Sequence, residues 1–244
     1  MSLTRNAQTM TIPDRFNGPP RSGNGGYVSG LLAGFVDGPA QVMLRQPPPI
    51  GVELQVERLT DGAVLLHGDR TVATASATSI DLPIPHPPTC REAIDASACF
   101  RGFMRHPFPS CFVCGPERPV GEGLRIFPGP LPGNGSVAAT WLPSRDLAGT
   151  DELVMREFVW AALDCPTGWV ISLSQPAESV FVLGTLAVDI RHRARVGERA
   201  ALAAWPLGSQ GRKFFAAAAL WSEQGDLQAI ARATWIQVFG KEWH

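Results

Sequence analysis

Two features of this 244-residue chain have residue types and spacing that could do chemistry. Cys111 and Cys114 form a C-x-x-C pair, a spacing used by zinc sites and redox pairs, and Cys90, Cys99 or His106 could complete a four-ligand site. Asp164 lies in an otherwise apolar stretch, where a carboxylate either caps a backbone N–H or acts on a ligand. Because no second C-x-x-C pair exists, we predict no metal and no cofactor.

The rest of the sequence excludes several function classes. No Ser/His/Asp order, HExxH motif, P-loop or dinucleotide-binding fingerprint occurs in a suitable context. The net charge is −1 and no run of Lys or Arg occurs, so we predict no binding to nucleic acid or to a membrane surface. Residues 1–13 are polar and no long apolar stretch follows, so we expect no signal peptide or membrane span. Five cysteines, an odd number at low density, indicate reduced thiols and a cytoplasmic protein.

The sequence contains an internal repeat, whose folded elements would position Asp164 and the cysteines. Leu44–Gly51 is similar to Ile190–Gly197, which lies 146 positions later (44 to 190). Ala75–Ile80 is similar to Ala231–Ile236, which lies 156 positions later (75 to 231). The two matches have the same order and compatible offsets, so we predict an internal duplication whose second copy has about ten extra residues in its hairpins.

Each half is predicted to end in an antiparallel meander. In the first half, Val52, Leu54 and Val56 alternate with polar residues, the period of a strand with one wet face, and Asp61-Gly62 is a hairpin turn signal. His67-Gly68-Asp69 is a second turn signal. In the second half, residues 213–221 and 227–238 are predicted strands around the turn at residues 224–226.

Each meander is preceded by one predicted helix. Residues 25–36 have an i, i+4, i+8 apolar stripe, although their glycines are poor helix formers. Residues 155–173 form the second helix, which is apolar on most sides, and Pro166 predicts a kink or a break in it. The coarse prediction is an α+β chain in which a long helix is wrapped by an antiparallel sheet, twice.

Three short motifs, in this order, resemble the hot-dog fold of acyl-CoA thioesterases. They are the Gly-rich helix entry Asn24-Gly25-Gly26-Tyr27, the segment Phe112-x-Cys114-Gly115-Pro116-x-x-Pro119 followed by Gly123-Leu124, and the helix segment Ala161–Trp169 with Cys165 at the usual Glu position. The resemblance implies a tandem double hot-dog. Its expected boundaries are residues 1–88 for the N-terminal half, 89–118 for a linker and 119–244 for the C-terminal half.

The departures from the family pattern predict a composite site. In such helices the acid lies about nine positions beyond the Asn or His of the helix entry. Nine positions beyond Asn24 lies Ala33, and nine positions before Asp164 lies Met155, so each half keeps only one of the two features. Hot-dog sites usually form between two subunits, so the resemblance implies one complete site between these halves and one inactive site.

The resemblance therefore implies an acyl-CoA thioesterase-like hydrolase, with acyl-CoA or a similar acyl thioester as substrate. Asp164 would be the general base or nucleophile, with Asn24 beside it and the Thr185 hydroxyl positioning water. Gly25, Gly26 and Tyr27 would provide the helix entry, whose N–H groups bind the carbonyl oxygen.

A basic cluster and the function itself each allow a second interpretation. Arg191 and Arg193 form a cluster that is either a clamp for coenzyme A phosphates or a solvated strand edge. The second candidate function is a non-catalytic acyl-CoA or lipid-binding double hot-dog protein. A hot-dog hydratase and a zinc-stabilised interaction protein are further candidates, and the fused unit could form a homodimer.

Overall fold

The computed structural model describes residues 8–133 and 135–239. These residues form one sheet of eleven antiparallel strands. The strands in chain order are β1 (Gln8–Thr11), β2 (Ala40–Leu44), β3 (Glu53–Leu59), β4 (Gly62–His67), β5 (Arg70–Ala77), β6 (Gly129–Pro130), β7 (Val137–Trp141), β8 (Val180–Ile190), β9 (Ala200–Gln210), β10 (Lys213–Ser222) and β11 (Leu227–Val238). The helices are α1 (Gly25–Ala33), α2 (Cys90–Ala98) and α3 (Arg156–Ser172).

The order of the strands across the sheet is β1-β3-β4-β5-β2-β8-β11-β10-β9-β7-β6. Its centre is the β2–β8 pair, where Gln41 faces Ala187 and Val42 faces Leu186. On each side of this pair the same order of strands is repeated outward, so the two halves are related by an approximate two-fold axis. The sheet curls around α1 and α3, which pack against each other, and this confirms the predicted double hot-dog architecture.

The two sequence matches that suggested a duplication meet in this sheet. Val42 pairs with Ala75 in the first half, and Val188 pairs with Ala231 in the second. Those residues are related by the offsets of 146 and 156 positions found in the sequence. The loops after β2 and β8 also agree, because Gly51 and Gly197 both have positive φ, at 71° and 76°. The register supports the expected duplication, and strands β8–β11 of the second half, at 10–12 residues, are longer than the 5–8 residues of β2–β5.

The helices differ from the prediction in two details. Helix α1 ends at Ala33 rather than at residue 36, because the chain turns away through Gly34 and the positive-φ Gly38. Helix α3 does not break at Pro166 but continues to Ser172. Its residues on both sides of the proline are buried against the sheet, and this packing outweighs the loss of one backbone hydrogen bond.

The predicted linker, residues 89–118, is not a free spacer. It contains helix α2, which begins with a capping box between Thr89 and Glu92, and then an irregular segment. Phe112 and Val113 in that segment are fully buried in the main core. The repeated elements occupy residues 8–77 and 137–238, and within the connection between them the segment 111–115 is buried. Among the described residues, no helix combines the length and apolar character needed to cross a membrane.

Candidate functional site

A cavity of about 680 Å³ lies between the start of α1, the middle of α3, the start of β8 and the segment 101–114. This volume falls within the range of about 300–1,000 Å³ that is usual for small-molecule sites. Its walls are mainly apolar and include Leu44, Phe108, Trp169, Phe181, Leu183 and Trp235. The cavity therefore offers an apolar ligand a place to bind between the two halves.

Asn24 begins helix α1 at one wall of the cavity. Its backbone is extended, and its side-chain Oδ1 accepts a hydrogen bond from the Tyr27 N–H at 2.9 Å, the usual arrangement of an Asn N-cap. This bond fixes the side chain so that Nδ2 points across to helix α3. There it donates to Asp164 Oδ2 at 3.2 Å.

Asp164 faces Asn24 from the middle of α3 and is 2% exposed. Its Oδ2 atom accepts from Asn24 Nδ2 and from the Gly26 N–H, the latter at 2.9 Å. Within residues 8–133 and 135–239, its Oδ1 atom has no hydrogen-bond partner. Asp164 lines the cavity, and helix α1 holds one of its two carboxylate oxygens.

Burial raises the pKa of Asp164 to about 7, because water no longer solvates the charged carboxylate. The hydrogen bond from the Gly26 N–H acts in the opposite direction, the charge at Cys111 raises the pKa further, and Asn24 lowers it. A carboxyl group whose pKa lies near neutral pH can both take and release a proton, as a general acid–base group must.

The two glycines of the helix entry differ in whether their N–H groups are available to a ligand. A Cβ at Gly26 would lie 2.5 Å from Asp164 Cβ, so this glycine allows α1 and α3 to touch. Because the Gly26 N–H already donates to Asp164, it is not free to bind a substrate carbonyl. Gly25 lines the cavity, and in the described part of the chain its N–H donates to no residue. Of the two predicted donors, only the Gly25 N–H is therefore available to a ligand.

The equivalent place in the other half lacks both functional groups. The Asn24 N–H bonds to Phe16 O at 2.7 Å, and the Met155 N–H bonds to Leu147 O at 2.9 Å, so Asn24 and Met155 occupy equivalent positions. The same offset of 131 positions (24 to 155) makes Ala33 the equivalent of Asp164 in the first half. A methionine and an alanine can neither bind nor transfer a proton. The geometry thus brings together the pair that counting in the sequence selected.

Two predicted site residues do not reach the cavity. Thr185 lies in the middle of β8, where it pairs with Thr234 and Met43, and it is not among the residues that line the cavity. Tyr27 points into the core, where its ring stacks on Phe16 with centroids 4.2 Å apart. Burial raises the pKa of Tyr27 to about 12.

The predicted phosphate clamp also lies elsewhere. Arg191 faces Asp189 at 3.6 Å and Arg193 forms an ion pair with Asp151, and neither lines the cavity. Three other arginines do line it, and all three are exposed: Arg45, Arg101 and Arg105. Among the described residues of the lining, the only acid is the buried Asp164, so the rim is positively charged. The sequence repeat could have identified Arg45 as a candidate phosphate-binding residue, because Arg45 in the first half is the equivalent of Arg191 in the second.

Three cysteines gather beside the Asn24–Asp164 pair. The sulfurs of Cys111, Cys114 and Cys165 all lie within 4.8 Å of one another, and all three residues are buried and line the cavity. Hydrogen bonds from the other two thiols lower the pKa of Cys111. The sequence did not indicate that Cys165 would join the C-x-x-C pair. Cys90 and Cys99, considered as possible partners, lie at the two ends of α2 outside the cluster.

No protein-family model and no curated protein sequence matches this chain. Solved structures match it over nearly its full length at low identity. A hot-dog protein of unknown function from Alicyclobacillus acidocaldarius is 12% identical with a TM-score of 0.61, and the match covers 98% of this chain and 96% of that one. A candidate thioesterase II from Thermobifida fusca YX is 15% identical with a TM-score of 0.62, and the match covers 98% and 95%.

A third structure, the tesB protein of Mycobacterium avium subs paratuberculosis, is 11% identical with a TM-score of 0.60, and the match covers 96% of each chain. At such identities a structural match shows the fold and not the activity. The chain therefore has the hot-dog fold in its double, single-chain form.

Proposed function

From the double hot-dog fold and the geometry at Asp164, we propose that the chain hydrolyses acyl thioesters at one composite site between its halves. The observation that carries this proposal is the buried carboxylate itself. Asn24 and Gly26 of the first half hold its Oδ2 atom, its buried Oδ1 atom has no partner among the described residues, and the residue lines an apolar cavity. A buried carboxylate held in this way is suited to act on a ligand.

In the proposed reaction Asp164 acts as a general base. Its Oδ1 atom takes a proton from a water molecule, whose oxygen attacks the carbonyl carbon of the thioester. Charge then develops on the carbonyl oxygen, and the Gly25 N–H and the positive end of helix α1 stabilise it. When the tetrahedral intermediate collapses, the C–S bond breaks and the thiolate leaves, taking up the proton that Asp164 accepted. The products are a carboxylic acid and a free thiol.

The cavity suits a substrate with an apolar acyl group and an anionic carrier. The apolar walls would bind the acyl chain, since burying each CH₂ contributes about 0.8 kcal/mol. Arg45, Arg101 and Arg105 would meet phosphate groups of a carrier such as coenzyme A. The names of two structural neighbours, a candidate thioesterase II and a tesB protein, support a thioester as substrate.

Release of free thiol from a panel of acyl-CoAs of increasing chain length tests the proposal. Asp164→Asn keeps the shape but loses the base, and we expect hydrolysis to fall by about 10²–10⁴-fold. Asn24→Ala and Met155→Ala form a matched pair at equivalent positions. We expect the first to slow hydrolysis by at least about tenfold and the second to leave it within about twofold. Absence of turnover at every chain length, or full activity in Asp164→Asn, would contradict the proposal.

A non-catalytic acyl-CoA or lipid carrier is the second candidate. The carrier function is favoured by one observation: the Gly26 N–H donates to Asp164, so one donor fewer is available to a substrate carbonyl oxygen. Isothermal titration with the same acyl-CoAs distinguishes the two functions. Saturable binding without thiol release would support the carrier, whereas binding followed by thiol release supports the hydrolase.

A further inference from the structure

The three buried cysteines come from two separate parts of the fold. Cys111 and Cys114 lie on the irregular segment that follows α2, and Cys165 lies in the middle of α3. The Cys111 and Cys165 sulfurs are 3.8 Å apart, and all three sulfurs lie within 4.8 Å of one another. Four zinc ligands at about 2.3 Å stand at the corners of a tetrahedron whose edges are about 3.8 Å. The sulfurs therefore already have nearly the spacing that one metal ion requires.

The turn that carries Cys111 and Cys114 is held in one shape by its own backbone. The turn is closed by a hydrogen bond from the Gly115 N–H to Cys111 O at 2.9 Å. A Cβ at Gly115 would lie 2.5 Å from backbone atoms of Cys111 and of Pro109, so only glycine fits there. The turn therefore fixes the position of Cys111 relative to Cys114 on this segment.

The Cys114 sulfur receives two donors from side chains. Trp169 Nε1 donates to it at 3.4 Å, and His106 Nε2 lies 3.3 Å from it. The Phe108 N–H donates to His106 Nδ1 at 2.9 Å, so Nδ1 is an acceptor and Nε2 carries the ring hydrogen. His106 therefore donates to the Cys114 sulfur and is not itself a ligand. Sulfur ligands with outer N–H donors of this kind are typical of metal centres.

Asn24 connects the cysteines to the proposed catalytic pair. Its Nδ2 atom, which donates to Asp164, also lies 4.0 Å from the Cys111 sulfur and 3.9 Å from the Cys165 sulfur. The three sulfurs line the cavity. A metal bound to them would keep its fourth position on the cavity side, as in sites with three protein ligands and one exchangeable ligand.

We propose that Cys111, Cys114 and Cys165 bind one Zn²⁺ ion, whose fourth ligand is a water molecule in the cavity. Three soft thiolates favour zinc over the hard cations Mg²⁺ and Ca²⁺. On binding, each of the three sulfurs is coordinated as a thiolate, and the thiol protons are released to solvent. The ion would clamp the segment 101–118 onto α3 beside Asp164. This inference does not depend on thioester hydrolysis and holds equally for a carrier.

Elemental analysis of the purified full-length chain tests the site directly. We expect about one zinc per chain, and we expect Cys111→Ser and Cys165→Ser to lose most of it. Cys90→Ser and Cys99→Ser are matched controls, since they change the other two cysteines of the chain and should retain the metal. Circular dichroism of each variant shows whether a loss of metal reflects a loss of fold.

Cobalt substitution tests the same site without any mutation. The wild-type chain is stripped with a chelator under reducing conditions and titrated with Co²⁺. Thiolate-to-cobalt charge-transfer bands and the d–d bands of tetrahedral cobalt, saturating at one equivalent and lost on adding Zn²⁺, would support the proposal. Three results would overturn it: no such bands in the reduced protein, a metal content that survives in Cys111→Ser, or a Cys111–Cys165 disulfide in the purified chain. Neither readout uses hydrolysis, so failure of the metal site and failure of the enzymatic function remain distinguishable.

Discussion

Replacing Gly30 by alanine should force helices α1 and α3 apart. A Cβ at this position would lie 2.5 Å from Glu157 Cα and 2.9 Å from Trp160 Cβ, whereas an ordinary contact is 3.4–4 Å. Neither atom can rotate out of the way, because one belongs to the backbone and the other is attached to it. The helices would therefore have to separate by about 1 Å at this crossing.

Two opposing contributions determine the change in stability. Overpacking a well-filled interior costs about 1–3 kcal/mol, and alanine in a helix interior is favoured over glycine by about 1 kcal/mol. Because the clash involves backbone, the upper part of the first range applies, and we expect Gly30→Ala to lower the free energy of unfolding by about 1–2 kcal/mol. For a chain of this size the melting temperature should fall by roughly 2–8 °C.

The same movement should affect the composite site more than the stability. Asn24 and Gly26 lie at the start of the helix that carries Gly30, and they hold Asp164 through hydrogen bonds of 3.2 and 2.9 Å. A displacement of about 1 Å would lengthen both bonds, and misplacement on this scale can slow catalysis by about 10²-fold.

Urea unfolding and thiol release from an acyl-CoA measure the two effects. Gly34→Ala is the matched control, because it makes the same change at the end of α1, where the nearest atom to the new Cβ is Leu31 O at 3.2 Å. The control should stay within about 0.5 kcal/mol and about twofold of wild type. If Gly30→Ala were as stable and as active as Gly34→Ala, the close contact of the two helices would not be what positions Asp164.

Three more measurements test the packing of the core and the charge at the cavity rim. Tyr27 is the only tyrosine, so the rise of tyrosinate absorbance with pH should have its midpoint near 12. The neutral phenol stabilises the fold below pH 10, and that stability is lost as the pH rises from 10 towards 12. A midpoint near 10 would show instead that Tyr27 is solvated. Trp235→Phe removes the Nε1–H that donates to buried Thr167 Oγ1 at 2.7 Å, which should cost about 1–3 kcal/mol in urea unfolding; an unchanged midpoint would contradict this. Arg105→Ala should raise KM for an acyl-CoA by about two- to fivefold at low salt, while Arg193→Ala should leave KM unchanged. The reverse pattern would show that the phosphate groups bind at the Arg191 and Arg193 cluster.

Much of the fold was predictable because it depends on local patterns and on a repeat. Strands β10 and β11 were predicted almost to the residue, since their apolar runs are bounded by turn residues at 224–226. The Asn24–Asp164 pair followed from counting nine positions along each helix, and α-helix geometry makes such counts reliable in space.

The remaining features depend on long-range packing that no local pattern records. Pro166 predicted a kink or a break in α3, but the helix has no break there, and the residues around the proline are buried. Cys165 is 51 positions from Cys114 in the chain, and only the folding of segment 101–118 onto α3 brings the two sulfurs together. The resemblance implied a role at the site for Thr185, whereas the register of β8 places it opposite Thr234 and it does not line the cavity.

A double-mutant cycle on Asn24 and Asp164 tests most directly the central claim that the two halves supply one site. The kcat/KM for acyl-CoA hydrolysis is measured for Asn24→Ala, for Asp164→Asn and for the double variant. Groups that act together through a direct hydrogen bond lose activity non-additively. We predict that the double variant is no slower than Asp164→Asn alone. If the two losses instead multiplied, Asn24 and Asp164 would act independently, and the composite site would be contradicted.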